Sequence, residues 1–232
     1  MIRAVLFDLD GTMLNREQSL KKFAQSQYYK YIQLQQAAEE SLYIARLMEL
    51  DDRGYVAKEV VYDTLMEELK LKELTAGMLV EDYFTRFQQF CTPFPQLNET
   101  LTNLKQQGYK LGIITNGKYP FQHDNIRALH IDHFFNVILT SEYEGIKKPD
   151  PLIFQRALNR LRVTAEESVF VGDHPEKDVQ AAVSAGMHGV LKRDDYWGDV
   201  NTEHEVLELD EVPDLLERLN LQGSSRGENE ER

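Results

Sequence analysis

The chain of 232 residues contains a single cysteine, Cys91, so it has no intramolecular disulfide framework. No catalytic context surrounds that thiol, and it reads as a buried apolar residue. Positive charge is scarce as well: 26 Lys and Arg face 39 Asp and Glu, a formal net charge of -13. A field of that sign disfavours a nucleic-acid backbone as partner. A protein so acidic needs local cations, a bound metal or a lysine or two, if it is to handle an anionic substrate. No run approaches the ~18 apolar residues of a membrane span. The chain starts directly in a strand, without the basic and apolar regions of a signal peptide. The expectation is a soluble, cytoplasmic protein with no membrane partner and no internal repeat.

What the chain does contain is organised around Ala4 to Phe7, a short apolar run that leads into Asp8-Leu9-Asp10-Gly11-Thr12. Continuous apolarity over four residues fits a central strand covered on both faces. Gly11 permits a sharp turn, and Asp8 and Asp10 then lie close together. Two such carboxylates favour a hard divalent cation, Mg2+ being the natural one, because it prefers oxygen ligands. Asp8 is the candidate nucleophile, although a turn with two solvated aspartates has the same local pattern.

From residue 15 to 92 the pattern is helical throughout, with apolar residues at helix-like intervals over Leu20 to Leu50, Val60 to Leu71 and Leu79 to Phe87. Pro93 and Pro95 close the segment, since two prolines in three residues cannot continue a helix. Helix and strand then alternate. Strands are expected at 110 to 115, 137 to 139, 168 to 171 and 189 to 191. Helices are expected from Asn98 to Gly108, around Asn125 to Leu129, from Pro151 to Leu161, from Val179 to Ala185, and from Pro213 onward. Such alternation implies right-handed crossovers and an α/β fold with a doubly wound parallel sheet. The expected organisation is a core of 1–14 and 93–222, an all-helical insertion of 15–92, and a polar, glycine-containing, disordered tail of 223–232.

In a doubly wound sheet, ligands bind beyond the carboxyl ends of the strands. The strand at 110 leads to Thr115-Asn116-Gly117, a hydroxyl and backbone N–H groups suited to phosphate oxygens. The strand at 168 leads to Gly172-Asp173, with Asp178 five residues on. The strand at 137 is followed by a loop carrying Lys147-Lys148-Pro149-Asp150.

These stretches resemble the four motifs of the haloacid dehalogenase (HAD) superfamily of phosphohydrolases: FDLDGT, IITNG, KKPDP and VGDHPEKD, in the family's order. Gln122, Phe134-Phe135 and Ala185-Gly186-Met187 also resemble the family. The helical insertion lies where the family has its type 1 cap, on a Rossmannoid core. The resemblance implies a Mg2+-dependent phosphatase in which Asp8 attacks phosphorus and becomes a transient aspartyl phosphate. Asp10 would act as general acid and then general base, with its main-chain carbonyl on the metal. Asp8 and Asp173 would supply metal oxygens, and Asp178 would serve the outer shell or orient Lys148. Thr115 and the N–H groups near Asn116 would hold the phosphoryl group, and Lys148 would neutralise it and the nucleophile. The lysine directly before proline fits the pattern, so Lys148 is preferred to Lys147.

Three positions depart from the pattern: Lys177 where asparagine is frequent, and His174 and Pro175 where residues are commonly small or hydroxylic. Dehalogenase members lack the second aspartate, so Asp10 favours phosphoryl transfer. Mutases with this cap share all four motifs, and a non-catalytic scaffold on the same fold is the rival from another class. The expected partner is a small phosphorylated metabolite, a nucleotide or a sugar or organic-acid phosphate, acting on a monomer or homodimer. Cap cations (Lys21, Lys22, Arg46, Arg53, Lys58) are expected mostly on solvated faces, and Tyr28, Tyr29, Tyr31 and Tyr43 mostly in the cap core.

Overall fold

A computed structural model describes residues 1–71 and 73–230, with side chains through residue 222. The chain divides into two compact units, Met1–Leu14 with Pro93–Arg232 and, between them in sequence, Asn15–Thr92.

The first unit begins with β1 (Ala4–Phe7), all four residues of which are buried. The second unit follows, built from α1 (Arg16–Lys30), α2 (Ile32–Ala37), α3 (Glu40–Asp51), α4 (Lys58–Leu69) and α5 (Ala76–Arg86), with a 3₁₀ turn at Phe87–Phe90. Its helix starts are chemically marked. The Asn15 side chain accepts the Gln18 N–H at 3.0 Å to cap α1, and Thr75 accepts the Met78 N–H at 3.3 Å to cap α5. Aromatic rings fill its interior: Phe23 meets Tyr83 edge-on at 5.4 Å and Tyr83 meets Phe87 at 5.0 Å.

The first unit resumes with α6 (Leu97–Gln106), β2 (Lys110–Thr115), α7 (Phe121–Ala128), β3 (Val137–Thr140), α8 (Ser141–Glu144) and α9 (Pro151–Leu161). It continues through β4 (Ser168–Gly172), a π-helical turn at Pro175–Gln180, α10 (Ala181–Ser184), β5 (His188–Lys192), β6 (Glu205–Val206) and α11 (Val212–Glu230). The six strands are ordered β3-β2-β1-β4-β5-β6, and every pairing is parallel. This is the doubly wound arrangement expected from the alternating pattern, and its switch in winding direction falls between β1 and β4. Leu6, Ile114, Leu139, Phe154 and Phe170 pack in one core layer, with Phe154 edge-on to Phe170 at 5.1 Å. Each such side chain contributes about 1.5–3 kcal/mol by leaving water.

Several expectations are corrected. The pattern over Leu20 to Leu50 comprises three helices, broken where Tyr31 and Ala38 adopt extended backbone. The helix expected around Asn125 starts earlier, at Phe121, and the one expected from Val179 is a π-helical turn followed by a short α-helix. The two-residue β6 carries no strand signal, because an edge pairing that short needs no periodicity. Cys91 is half-buried, and Tyr29 is exposed while Tyr28 and Tyr43 are core. Lys58, expected on a solvated face, is buried against Asp51. α11 extends as far as Glu230; Glu231 and Arg232, like the side chains from 223 on, lie outside the described residues.

Candidate active site

β1 pairs with β2 so that Phe7 lies beside Ile113, and with β4 so that Phe7 lies beside Val171. Asp8, Thr115 and Asp173 therefore all stand at or just past the carboxyl edge of three adjacent strands. The Asp8 N–H still donates to Val171 O at 2.9 Å, so its side chain is fixed by the end of the ladder. The chain then turns: the N–H groups of Thr12, Met13 and Leu14 all donate to Leu9 O. Gly11 makes the turn with φ of +84°, and a Cβ at that position would collide with the Asp173 carboxylate. Glycine is thus required twice, by the dihedral and by the close approach of Asp173.

Lys148 is 3% exposed, and its ammonium donates to Asp8 Oδ1 and to Asp178 Oδ1, both at 2.6 Å. Its loop is held from two sides. The Asn116 side chain donates to Lys148 O and accepts the Lys148 N–H, each at 2.9 Å, as a neighbouring strand would. Two residues on, Asp150 caps α9 by accepting the Leu152 N–H at 2.9 Å, with Pro151 in the first turn. Asn116, expected near the phosphate through its N–H groups, thus spends its side chain on fixing the lysine.

Beyond β4, the π-helical turn brings Asp178 back under Gly172, where a Cβ would overlap the Asp178 side chain. Asp178 Oδ2 accepts the His174 N–H at 3.0 Å. Asp8, Asp173 and Asp178 are all buried and can each offer an oxygen such that the three lie within 4.8 Å of one another. Burial pushes the Asp8 carboxyl well above the usual carboxylate range; Asp178 and Asp173 add to that, and Lys148 opposes it. Lys148 is raised in turn, because Asp178 and Asp8 outweigh the cost of its burial. Three buried carboxylates crowd together here, and the Lys148 ammonium bridges two of them, Asp8 and Asp178. The all-oxygen donor set and the crowding of three buried carboxylates both fit a hard divalent cation.

The second aspartate is kept apart from this cluster. Asp10 accepts a hydrogen bond from the Gln122 amide at 2.6 Å, and the same nitrogen lies 2.9 Å from Thr115 Oγ1. Asn125 donates to Gln122 Oε1 at 3.1 Å and fixes the amide's orientation. The structure thus brings Asp8, Lys148, Asp173 and Asp178 into one cluster and joins Asp10 to Thr115 through Gln122. In the sequence Gln122 carries a resemblance to the family and no implied role. Its position in the first turn of α7, directly after the Thr115 loop, is the available signal.

Buried carboxylates at the ends of adjacent strands, one of them touching a buried lysine, can support attack by a protein oxygen on an electrophile. The chain belongs to the haloacid dehalogenase-like hydrolase family, whose pattern it matches over residues 5–192, and it is an enzyme of that family. It is 32% identical over 221 residues to a glyceraldehyde 3-phosphate phosphatase of Methanopyrus kandleri, covering 93% of this chain and 92% of that one. A phosphoglycolate phosphatase of Aliivibrio fischeri is 31% identical over 192 residues, 81% of this chain and 82% of that one. Among solved structures, a HAD phosphatase from Thermococcus onnurineus superimposes with a TM-score of 0.65 at 28% identity, covering 93% of this chain and 98% of that one.

Proposed function

We propose that the protein is a Mg2+-dependent phosphatase that hydrolyses a small phosphate monoester through an aspartyl-phosphate intermediate on Asp8. The observation that carries this reading is the Lys148 ammonium held between Asp8 and Asp178, 2.6 Å from each, while Asp10 is held separately by Gln122. Two aspartates two residues apart thereby occupy different environments, as a nucleophile and a proton carrier require.

Asp8 attacks phosphorus with one carboxylate oxygen, and the phosphorus–oxygen bond to the leaving alcohol breaks. Asp10 delivers its proton to that departing oxygen. A water then attacks the phosphorus of the acyl phosphate, Asp10 takes the water's proton, and the Asp8 carboxylate leaves with inorganic phosphate as product. Gln122 keeps Asp10 aimed during both transfers and ties it to Thr115, which with the N–H groups near Asn116 receives the phosphoryl oxygens. Lys148 neutralises Asp8 and the incoming anion, which a chain of net charge -13 would otherwise repel. Mg2+, when bound by oxygens of Asp8, Asp173 and Asp178 and by the Asp10 main-chain carbonyl, would screen nucleophile and phosphate from each other.

Relatives named for glyceraldehyde 3-phosphate and phosphoglycolate support a small organic phosphate as substrate. The test is release of inorganic phosphate from a generic aryl phosphate with and without Mg2+, followed by a panel of phosphorylated metabolites. Metal-dependent release is expected. A folded protein that releases none would overturn the reading, and isomerised ester without free phosphate would turn it toward a mutase.

A further inference from the structure

His174 is the residue between Asp173 and the π-helical turn, and none of the proposed steps uses its ring. Three contacts engage it all the same. Its ring Nδ1 accepts the N–H of Glu176 at 3.2 Å and of Lys177 at 3.3 Å, the first two backbone donors of the turn. Its own N–H donates to Asp178 Oδ2 at 3.0 Å. Its ring lies on that of Trp197, with centroids 4.4 Å apart and planes 38° from parallel. Trp197 comes from the turn after β5, an element distant in sequence, and its indole N–H is buried with no hydrogen-bond partner among the described residues. The indole is therefore held by packing rather than by a polar tether, and His174 is part of that packing.

The arrangement joins both carboxylates through one residue. His174 is bonded to Asp173 along the chain and to Asp178 through its N–H, while the ring fixes the first turn of the segment that carries Asp178. A shift of the ring would move the two carboxylates relative to each other. We propose that His174, clamped against Trp197, is a positioning residue that sets the spacing of Asp173 and Asp178, and with it the affinity of the cation site, so that Trp197 reports cation binding. This rests on the cation reading of the site given above. Residues that orient metal ligands typically change affinity or activity by about 10–100-fold when removed. An asparagine at 174 retains an oxygen able to accept the two N–H groups, as asparagine does at helix starts, but loses the ring.

The full-length protein supplies its own signal, because Trp197 is the chain's one tryptophan. Mg2+ is titrated into the protein while binding is followed both by calorimetry and by tryptophan emission, with circular dichroism as the check on folding. In the wild type the emission change should track the calorimetric saturation. His174→Ala should raise the Mg2+ midpoint by about 10–100-fold. His174→Asn should recover most of that affinity while losing the emission response, which a general loosening of the structure would not do. Trp197→Leu, read by calorimetry alone, should weaken binding several-fold. A wild-type midpoint in folded His174→Ala or Trp197→Leu overturns the positioning role, and emission that stays flat while the wild type binds Mg2+ overturns the reporter. Wild-type protein that takes up no Mg2+ at all removes the cation reading itself, and the proposal with it.

Discussion

Both units of the chain bury charge, and they balance it in opposite ways. In the helical unit, Asp51 is 1% exposed and receives the Arg16 guanidinium at 2.6 and 3.1 Å, with the Lys58 ammonium as a second cation. Asp82 is likewise met by Lys30 and Arg86 and by the Gln27 amide at 3.1 Å. Gln27 is itself satisfied, accepting from the Tyr43 and Tyr62 hydroxyls at 2.7 and 2.8 Å. Each buried aspartate here has two cations. In the sheet unit three buried aspartates cluster together, and one lysine, Lys148, is shared between two of them. Burial works against the Asp51 charge, yet Arg16 and Lys58 hold its carboxyl below the usual range, whereas Asp8 is driven above it. An aspartate with two cations of its own has no use for a ligand, while carboxylates crowded against one another gain from one. The contrast separates framework from chemistry without reference to conservation.

The comparison can be broken at several points. Asp8→Asn should cost at least about 10⁴-fold in turnover of an aryl phosphate, as removal of a nucleophile does, without lowering the thermal midpoint, since it relieves the excess of carboxylates. Near-normal turnover would remove Asp8 from that role. Lys148→Met should lose about 3–5 kcal/mol in denaturant unfolding without Mg2+, the usual result of stranding buried charges, and the loss should shrink when Mg2+ is added. Asp51→Asn should lose about 3 kcal/mol by the same argument, but equally with and without the metal. A metal-dependent loss there would erase the distinction between the two clusters. Saturating Mg2+, at about 100 times its dissociation constant, should stabilise the wild type by about 2.7 kcal/mol and do far less for Asp173→Asn. The smallest effect is on pH. Because the folded carboxyl of Asp51 sits below its unfolded value, its contribution is complete above the ordinary carboxylate range near pH 4 and fades as pH falls through the lowered folded value. Acid titration of stability in Asp51→Asn should therefore be flatter below about pH 4 than in the wild type.

Much of the sheet unit was legible in the sequence, because its chemistry sits where short apolar runs end. Asp8, Thr115 and Asp173 are each the first or last polar residue of such a run, and Lys148 is marked by the proline that follows it. Most of the illegible parts depend on partners that the local pattern does not show. Gln122 reaches back 112 residues to Asp10, and Lys58 reads as a solvated lysine until Asp51 and Arg16 are placed around it. The breaks at Tyr31 and Ala38 leave no Pro or Gly behind, so periodicity alone runs through them. His174 is a surface residue by composition and acquires its place only when β5 delivers Trp197.

β1 is the first strand in the sequence and lies in the interior of the sheet, between strands that begin at Lys110 and Ser168. During synthesis from the N-terminus, the segment bearing Asp8 therefore emerges long before either neighbour. Its four apolar residues stay uncovered while more than a hundred others are added, and Asp8 meets Asp173 only after β4 has been made. A nascent or truncated chain ending before that strand carries Asp8 without Asp173. Pairings this remote in sequence are also slow to form.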